Sequence, residues 1–434
     1  MKKLSKLNLD IFKSSLKDTN PSNIINSKVN IKNDLIEINN KKFKFLFIKG
    51  FYVVAFGKAS QKMFLGMKEK LKDYNVEDYL VVSHYKMKSK KINNKKFILS
   101  THPLVTYKSY LASKKLISFL KIIPPKSNII FLISGGASSM LSLSTSDIDF
   151  KMKKNFINSI INLGVGEREV NYFRKKLSGI KGGKILSYLN NCNILNLILS
   201  DERSNQIKAI SSGITIPQKE IKISKKVILQ IAKSKYYNSE IKKNISKNIK
   251  TLKKNSNSIN SCIIADRNDL INNLIINYQK NNFNKIIYHS HIFETNYSIG
   301  IKILTKTIYN FYKSKFIGNN AIIFTGEMPV KVFNKGKGGR NQHLVASMIH
   351  NIENLKNFCF CAFSTDGCDY IKGINGAYVD SEIIKQIKLK KTDYKQYIRE
   401  TNTFYLHSKL NSLIKGDYTG NNFSDVYIFS YSRK

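Results

Sequence analysis

The chain has 434 residues, and at roughly 150 residues per domain this length predicts about two or three domains. A hydrophobic content of 42% is typical of a chain that folds. The formal charge is +44, but Arg accounts for only 7 of the 73 basic residues, and Lys, Asn and Ile are abundant together. This bias is typical of an A+T-rich coding sequence. The charge therefore argues weakly for nucleic acid as a partner, while a preference for anionic metabolites stays open.

Several other classes of protein are excluded by pattern. No apolar run approaches the roughly 18 residues that a membrane span needs. The basic start of the chain is not followed by an apolar stretch, so it does not predict a signal peptide. The five Cys are scattered, without paired spacing, which indicates reduced thiols and predicts a cytoplasmic protein with neither a disulfide framework nor a zinc site.

Apolar runs of strand length recur along the chain, and each is followed by a small polar loop. They cover residues 51–56, 129–133, 195–199, 321–324 and 358–363. Continuous apolar runs predict strands that are buried on both faces, and helix-compatible segments such as 110–120 and 152–163 lie between them. This alternation predicts an α/β protein with parallel sheets, in which ligands bind beyond the carboxyl ends of the strands.

A change in composition marks the expected domain boundary. Residues 219–260 are rich in Lys, Ser, Asn and Ile and contain no Gly or Pro. This stretch predicts helix and connection between two domains, divided near residue 240. The expected domains are therefore 8–240 and 241–434.

Gly and Arg are scarce, so their clustering is informative. Four of the 22 Gly fall between Gly326 and Gly339, in a loop that continues into Arg340 and Asn341. Glycine lets the backbone approach a ligand and turn its N–H groups toward an anion, and Arg binds phosphate or carboxylate through two donors. The loop predicts a nucleotide or phosphate site, although no Walker A sequence occurs. A tight surface turn is the structural alternative.

Two further segments predict binding of oxygen anions. Residues 134–139 follow a strand and precede an apolar run, which places them at a helix N-terminus. Asn171, Arg174, Ser178 and Lys181 have helical spacing, so they would line one face of a helix that ends at the Gly pair 182–183. A strand turn and a solvated polar face are the respective alternatives.

Charged side chains also follow the predicted strands directly. Asp201, Glu327 and Asp366 stand there, where a carboxylate can accept a hydroxyl proton, hold Mg²⁺ or cap the next helix. Lys58 follows the first strand between small neighbours, so it could reach into a crevice. Residues 164–169 begin as GxG but lack the third Gly, which argues against a dinucleotide fingerprint.

Taken in order, these motifs resemble the bacterial type of glycerate 2-kinase, a family with a C-terminal MOFRL domain. The matching segments extend from about residue 11 to the end of the chain. They are 56–59 (FGKA), 101–103 (THP), 133–138 (ISGGAS), 169–183 (EVNYFRKKLSGIKGG), 199–201 (LSD), 212–213 (SG), 326–327 (GE), 338–342 (GGRNQ) and 364–367 (STDG).

The resemblance implies two domains with a cleft between them: an N-terminal Rossmann-like parallel sheet and a smaller C-terminal α/β MOFRL domain. It also implies phosphorylation of D-glycerate at the 2-hydroxyl, giving 2-phosphoglycerate, with ATP and Mg²⁺. A homodimer is compatible with it, and neither nucleic acid nor membrane is an expected partner. A same-scaffold kinase for another small hydroxy acid or sugar acid, and a non-catalytic metabolite-binding relative, stay open as alternatives.

The family's catalytic positions correspond to Lys58, Asp201 and Arg340. We expect Asp201 to accept the proton of the substrate hydroxyl, and Lys58 and Arg340 to steady the phosphoryl group and the substrate carboxylate. Substrate or phosphate oxygens are expected at Ser134, Gly135, Gly136, Ser138, Asn171, Arg174 and Lys181. The nucleotide is expected at Gly326, Glu327, Lys337, Gly338, Gly339, Asn341, Asp366 and Gly367, with Glu327 and Asp366 as the metal ligands.

The chain departs from the family pattern at four places. Asn205 replaces an Asp, and Ile214 replaces the Pro of a Ser-Gly-Pro-Thr motif. His343 replaces the Glu after Arg-Asn-Gln, and Tyr370 stands where Gly is usual. The loss of a carboxylate at Asn205 raises the non-catalytic alternative, and His343 and Tyr370 raise a change of substrate.

Overall fold

The computed structural model describes residues 3–33, 35–45, 50–87, 91–201, 206–217, 223–246, 257–294, 296–332, 336–421 and 423–434. It divides the chain into two compact units. The first unit combines Met1–Asn20 with Asp266–Lys434, and the second unit is Pro21–Ala265. The boundary between the two compact units lies after Ala265, where the last strand of the second unit ends. The division of the chain into domains at residue 240 stays a prediction.

The second unit is built on a parallel sheet of six strands, flanked by helices. Its strands are β4 (Phe51–Phe56), β5 (Val76–Ser83), β6 (Phe97–Leu99), β7 (Asn128–Ser134), β8 (Asn193–Leu199) and β9 (Ser258–Ala265), in the order β6-β5-β4-β7-β8-β9. Every pairing in this sheet is parallel. The central strand β7 is buried along its whole length, as its unbroken apolar sequence predicts.

Helices and a small antiparallel sheet complete this unit. The helices are α2 (Pro21–Lys28), α3 (Ser60–Lys70), α4 (Tyr107–Lys121), α5 (Ala137–Met140), α6 (Phe150–Asn162), α7 (Glu167–Lys176), α8 (Lys225–Ala232) and α9 (Ser239–Ser246). The small sheet contains β1 (Val29–Lys32), β2 (Leu35–Ile38) and β3 (Lys41–Lys44). The helices predicted at 110–120 and 152–163 are confirmed as α4 and α6.

The first unit contains a mixed sheet of six strands. They are β10 (Phe283–Phe293), β11 (Gly318–Gly326), β12 (Phe358–Ser364), β13 (Ile374–Asp380), β14 (Leu413–Lys415) and β15 (Asp425–Arg433). Their order is β10-β11-β15-β12-β13-β14, and only β10 and β11 pair in parallel. The sequence predicted parallel sheets throughout, which is wrong for this unit because β15 lies between β11 and β12 and runs against both.

The helices of the first unit cover this mixed sheet. They are α1 (Leu4–Asp18), α10 (Arg267–Lys280), α11 (Tyr297–Lys313), α12 (Arg340–Ile352), α13 (Ser381–Leu389), α14 (Tyr394–Arg399) and α15 (Thr403–Lys409). Helix α12 packs against β12 and β13 through an apolar face that includes Leu344 and Met348. The predicted α/β class with a parallel sheet and a smaller C-terminal α/β domain is therefore confirmed. No helix in the described ranges is long and apolar enough to cross a membrane.

Candidate active site

Three loops of the second unit meet at the carboxyl edge of its parallel sheet. They follow β4, β7 and β8, which are neighbours in that order. Lys58 lies in the first loop, residues 135–136 form the second and lead into α5 with Ser138, and Asp201 lies in the third. The structure therefore brings the loops of these predicted residues to one edge. Residues 202–205, including Asn205, lie outside the described residues.

The loop that carries Lys58 is tied to the end of β7. Lys58 N–H donates a 3.0 Å hydrogen bond to the Gly135 carbonyl, and Ala59 N–H donates a 2.9 Å bond to Ser134 Oγ. Gly57 has a φ of +120°, and a Cβ there would lie 2.3 Å from Ser134 Oγ. Only glycine allows this approach, so the buried Lys58 is held in a fixed backbone position.

Several cationic side chains lie in and after helix α7, and this helix is shorter than predicted. Within α7, Arg174 Nη1 donates a 3.1 Å hydrogen bond to Asn171 Oδ1. The helix ends at Lys176, so the prediction that Ser178 and Lys181 share its face is wrong. The Gly pair 182–183 does not end the helix either. Its N–H groups instead donate to the carbonyls of residues 212 and 213.

Lys181 is buried among other cations. Its Nζ lies 2.7 Å from the Ser138 carbonyl oxygen and 2.8 Å from Ser138 Oγ. Burial lowers the pKa of Lys181 well below its usual range, and Lys153, Arg174 and Lys175 lower it further. This arrangement places cationic groups and a poorly solvated amine beside the loop that follows β7.

In the first unit, the ends of β11 and β12 lie beside the start of β15. Both Gly326, at the end of β11, and Ser364, at the end of β12, lie opposite Asp425, at the start of β15. Glu327 therefore follows one neighbour of Asp425, and Asp366 lies two residues beyond the other. The antiparallel strand adds a carboxylate to an edge where the sequence predicted two.

Arg340, the first residue of α12, is held by two carboxylates. Its Nε and Nη2 donate hydrogen bonds of 2.5 and 3.1 Å to Asp425, and its Nη1 lies 2.7 Å from Glu327 Oε2. Although burial opposes its charge, Asp425 and Glu327 raise the pKa of Arg340 above its usual range. Burial also raises the pKa of Asp425, although Arg340 opposes this shift. The guanidinium stays charged, and two of its five N–H donors have no partner among the residues that the structure describes.

The backbone N–H groups at the start of α12 bind the chain's own carboxylate. Asp369 accepts hydrogen bonds from the backbone N–H groups of Asn341 (3.0 Å) and Gln342 (2.9 Å). A Cβ at Gly339 would lie 2.2 Å from Asp369 Cγ. Asp369 thus takes the place that a ligand anion would have at these two N–H groups, while the expectation that the glycine loop before them binds an anion stays a prediction. Lys337 packs over the Phe404 ring, with its Nζ 4.5 Å from the ring centroid.

Other residues predicted to bind the nucleotide differ in whether they already contact other groups of the protein. Asn341 is 1% exposed, and within the described ranges neither polar atom of its side chain has a hydrogen-bond partner. Gly338 packs against Thr403, and Gly326, at the end of β11, and Gly367, in a turn, both have positive φ and pack against backbone. Asn341 is thus the predicted nucleotide ligand whose side chain is left for another group.

The predicted magnesium ligands do not fit a preformed metal site. Glu327 pairs with Arg340, and Asp366 Oδ1 accepts hydrogen bonds from Ser364 Oγ (2.8 Å) and Cys368 N–H (3.1 Å). In the part of the chain that the structure describes, no three His, Cys, Asp or Glu side chains form a group suited to a metal ion. Proteins commonly bind Mg²⁺ through one or two carboxylates together with substrate phosphates.

Comparisons with known proteins agree with this architecture. A family profile described as "Domain of unknown function (DUF4147)" matches residues 7–250, and one described as "MOFRL family" matches residues 320–425. A glycerate 2-kinase of Sulfurisphaera tokodaii is 30% identical over 379 residues, which are 87% of this chain and 88% of that protein. The chain belongs to the glycerate 2-kinase family.

Other members of the family support the same assignment. A glycerate 2-kinase of Picrophilus torridus is 27% identical over 430 residues, covering 98% of this chain and 96% of that protein. The crystal structure of a glycerate kinase from Thermotoga maritima has the same fold, with a TM-score of 0.78, 22% identity and 99% of each chain covered. The resemblance inferred from the ordered motifs is thereby confirmed.

Two departures from the family pattern now have a structural description. Tyr370 has a φ of +65°, which explains why glycine suits this position, and its ring is 79% exposed. His343 is buried, with its ring 5.2 Å from that of Tyr297. Burial lowers the pKa of His343 to about 4, so the ring is neutral at physiological pH. One departure therefore adds an exposed ring, and the other adds a buried neutral one.

Sequence reasoning missed Asp425 and gave Asp369 no role. It searched for carboxylates that follow strands, whereas Asp425 begins one. The signal for it was an acidic residue at the head of the apolar run 426–429. Asp369 gave a weaker signal, since it directly follows no predicted strand and is marked in the sequence only by the Tyr370 that comes after it.

Proposed function

We propose that this chain transfers the γ-phosphoryl group of ATP to the 2-hydroxyl of D-glycerate, giving 2-phosphoglycerate and ADP. The observation that carries the proposal is family membership, since several relatives named glycerate 2-kinase align over nearly the whole chain. The charged Arg340, fixed by two carboxylates, supplies a chemical reason. Phosphoryl transfer depends mainly on positioning and on neutralising charge.

The proposed roles follow from what each side chain can do. Asp201 accepts the proton of the substrate hydroxyl, because an ionised carboxylate is a suitable base there. Lys58 and Arg340 neutralise the transferring phosphoryl group and the substrate carboxylate. Arg174, oriented by Asn171, holds further substrate oxygens. When Mg²⁺ accompanies ATP, it supplies charge neutralisation between the phosphates.

The direct test is a coupled assay of ADP release with ATP, Mg²⁺ and D-glycerate. L-glycerate and related hydroxy acids are assayed in parallel, and phosphorus NMR identifies the product. Formation of 2-phosphoglycerate supports the proposal. Release of ADP with a different acid alone would reassign the substrate, and ATP binding without turnover on any acid would favour the non-catalytic alternative.

A pair of Arg variants separates the site from general charge. Arg340→Ala should lower turnover by roughly 10³-fold, the order expected for an Arg that stabilises the transition state. Arg399→Ala is the matched control, because Arg399 is 69% exposed and lies 3.9 Å from Asp393 at the surface. Near-normal turnover in Arg340→Ala would remove Arg340 from the mechanism.

A further inference from the structure

A buried amine and two serine hydroxyls form a chain of hydrogen bonds in the second unit. Lys181 Nζ lies 2.8 Å from Ser138 Oγ, and Ser138 Oγ lies 2.8 Å from Ser212 Oγ. Lys181 is 4% exposed and Ser212 is 8% exposed, whereas Ser138 is more accessible. The accessible hydroxyl thus has a buried amine on one side and a buried hydroxyl on the other.

The amine is oriented as a base would be. It must donate one hydrogen bond to the Ser138 carbonyl, 2.7 Å away, because a carbonyl oxygen can only accept. Within the described ranges no carboxylate pairs with Lys181, and the charges that act on it come from Lys153, Arg174 and Lys175. These cations oppose protonation, and in the neutral form of the amine the lone pair of Nζ can accept the proton of Ser138 Oγ across this 2.8 Å contact.

The second serine lies in an unusual stretch of backbone. Ser211, Ser212 and Gly213 have φ values of +52°, +59° and +56°, and two of them are not glycine. A non-glycine residue in this region costs roughly 1–3 kcal/mol, and such strain clusters at functional sites. The turn is held by hydrogen bonds to the Ser212 and Gly213 carbonyls and by Ser211 Oγ, which donates to the Ser134 carbonyl over 2.8 Å. This turn directs Ser212 Oγ at Ser138.

We propose that Lys181, Ser138 and Ser212 form a base-activated serine, with Ser138 Oγ as the nucleophile and small carboxylic esters as its substrates. A serine that is hydrogen-bonded to a base, which is itself oriented by a third group, is the arrangement that covalent acyl transfer requires. Ser212 is a positioning residue that donates to Ser138 Oγ. This activity needs neither ATP nor glycerate, so it can be tested apart from the proposed kinase function, although Ser138 and Lys181 are also expected to hold substrate or phosphate oxygens.

The reaction proceeds in two steps. Lys181 Nζ takes the Ser138 Oγ proton while Oγ bonds to the ester carbonyl carbon, and the bond from that carbon to the alkoxy oxygen breaks. The alcohol leaves with the proton from Lys181. Water then attacks the acyl carbon and gives one proton to Lys181. Ser138 Oγ recovers that proton as the carboxylic acid departs.

The test uses a fluorophosphonate probe on the full chain without ATP, followed by peptide mapping. Ser138 should be the labelled residue, and Ser138→Ala should abolish the label. Ser139→Ala is the matched control, since Ser139 is the next residue and its Oγ donates to the Gly136 carbonyl and not, within the described ranges, to the Lys181–Ser138–Ser212 chain. Steady-state hydrolysis of p-nitrophenyl acetate should fall by about 10²-fold or more in Ser138→Ala. Absence of label on Ser138 in the folded chain would overturn the proposal.

Two further variants test the base and the positioning residue. Lys181→Arg retains a charge but cannot be a neutral base, so labelling should be lost while circular dichroism stays unchanged. If this variant does not fold, Ser212→Ala provides the second test, with about tenfold slower labelling expected. The labelling rate of the wild-type chain should rise with pH around a midpoint below the usual lysine value. Lys153→Met should move that midpoint upward, because it removes a neighbouring cation, and an unchanged midpoint would contradict the role of Lys181.

Discussion

Replacing Asp425 with asparagine separates the buried half of the Arg340 ion network from its exposed half. Asp425 is 1% exposed and accepts two hydrogen bonds from the guanidinium. Glu327 is 35% exposed and forms a single ion-pair contact with the same guanidinium. Removing one partner of a buried ion pair costs about 3–5 kcal/mol. Because Arg340 is itself 34% exposed, water compensates in part, and we expect a loss of about 2–3 kcal/mol.

The rate should fall together with the stability. The asparagine NH₂ group would face a guanidinium N–H, so Arg340 would lose its two-point attachment to Asp425. A displacement of about 1 Å costs roughly 10²-fold in rate when the group positions a reacting centre. Urea unfolding gives the stability, and ADP release with ATP and D-glycerate gives the turnover.

Glu327→Gln is the matched control, because it removes the other carboxylate from the same guanidinium. An exposed pair contributes only about 0–1 kcal/mol, so this variant should stay close to wild type in urea. The reasoning would be refuted if the two variants lost equal stability. Unchanged turnover in Asp425→Asn would equally refute the proposed positioning of Arg340.

Three further predictions concern packing and protonation. Gly339→Ala should lower the free energy of unfolding in urea titrations by about 3 kcal/mol, because its Cβ overlaps Asp369, whereas Gly373→Ala, with nothing within 4 Å, should cost only backbone strain of about 1 kcal/mol. Gly57→Ala should reduce turnover by about 10²-fold, since its Cβ would displace the loop that holds the predicted catalytic lysine. Burial lowers the pKa of His343 from 6.5 to about 4, so the folded chain binds fewer protons than the unfolded chain in that window. The free energy of unfolding should therefore fall as the pH drops from 6.5 to about 4. In acid titrations of His343→Gln, the free energy of unfolding should depend less on pH over this range.

The strands were predictable because a strand that is buried on both faces has a continuous run of apolar residues. The run at 51–56 coincides with β4, and the run at 129–133 lies inside β7. The sequence shows no comparable pattern for which strands are neighbours in the sheet. Strands β11 and β12 run in the same direction, which suits the predicted parallel order, but β15 from the end of the chain separates them. Long-range pairing of this kind depends on the whole sheet and not on local pattern.

The missed Asp425 follows from the same error. A rule that inspects the carboxyl ends of strands is sound for a parallel sheet, and it found the loops after β4, β7 and β8. In a mixed sheet, an antiparallel strand brings its first residue to that edge, and Asp425 is the first residue of β15. Correct strand direction would therefore have been enough to identify the buried partner of Arg340.

The glycine-rich loop leads into a helix whose first N–H groups bind a carboxylate of the same chain. Scarce glycines at 336–339 predicted backbone N–H groups open to an anion, which stays a prediction, and Asp369 accepts hydrogen bonds from the next N–H groups along the chain, those of Asn341 and Gln342. Gly339 allows that carboxylate to approach the start of α12, and α12 begins with Arg340. Gly339 thus acts on Arg340 indirectly, because it lets Asp369 anchor the backbone of α12 while Asp425 anchors the guanidinium, and together they hold Arg340 in position.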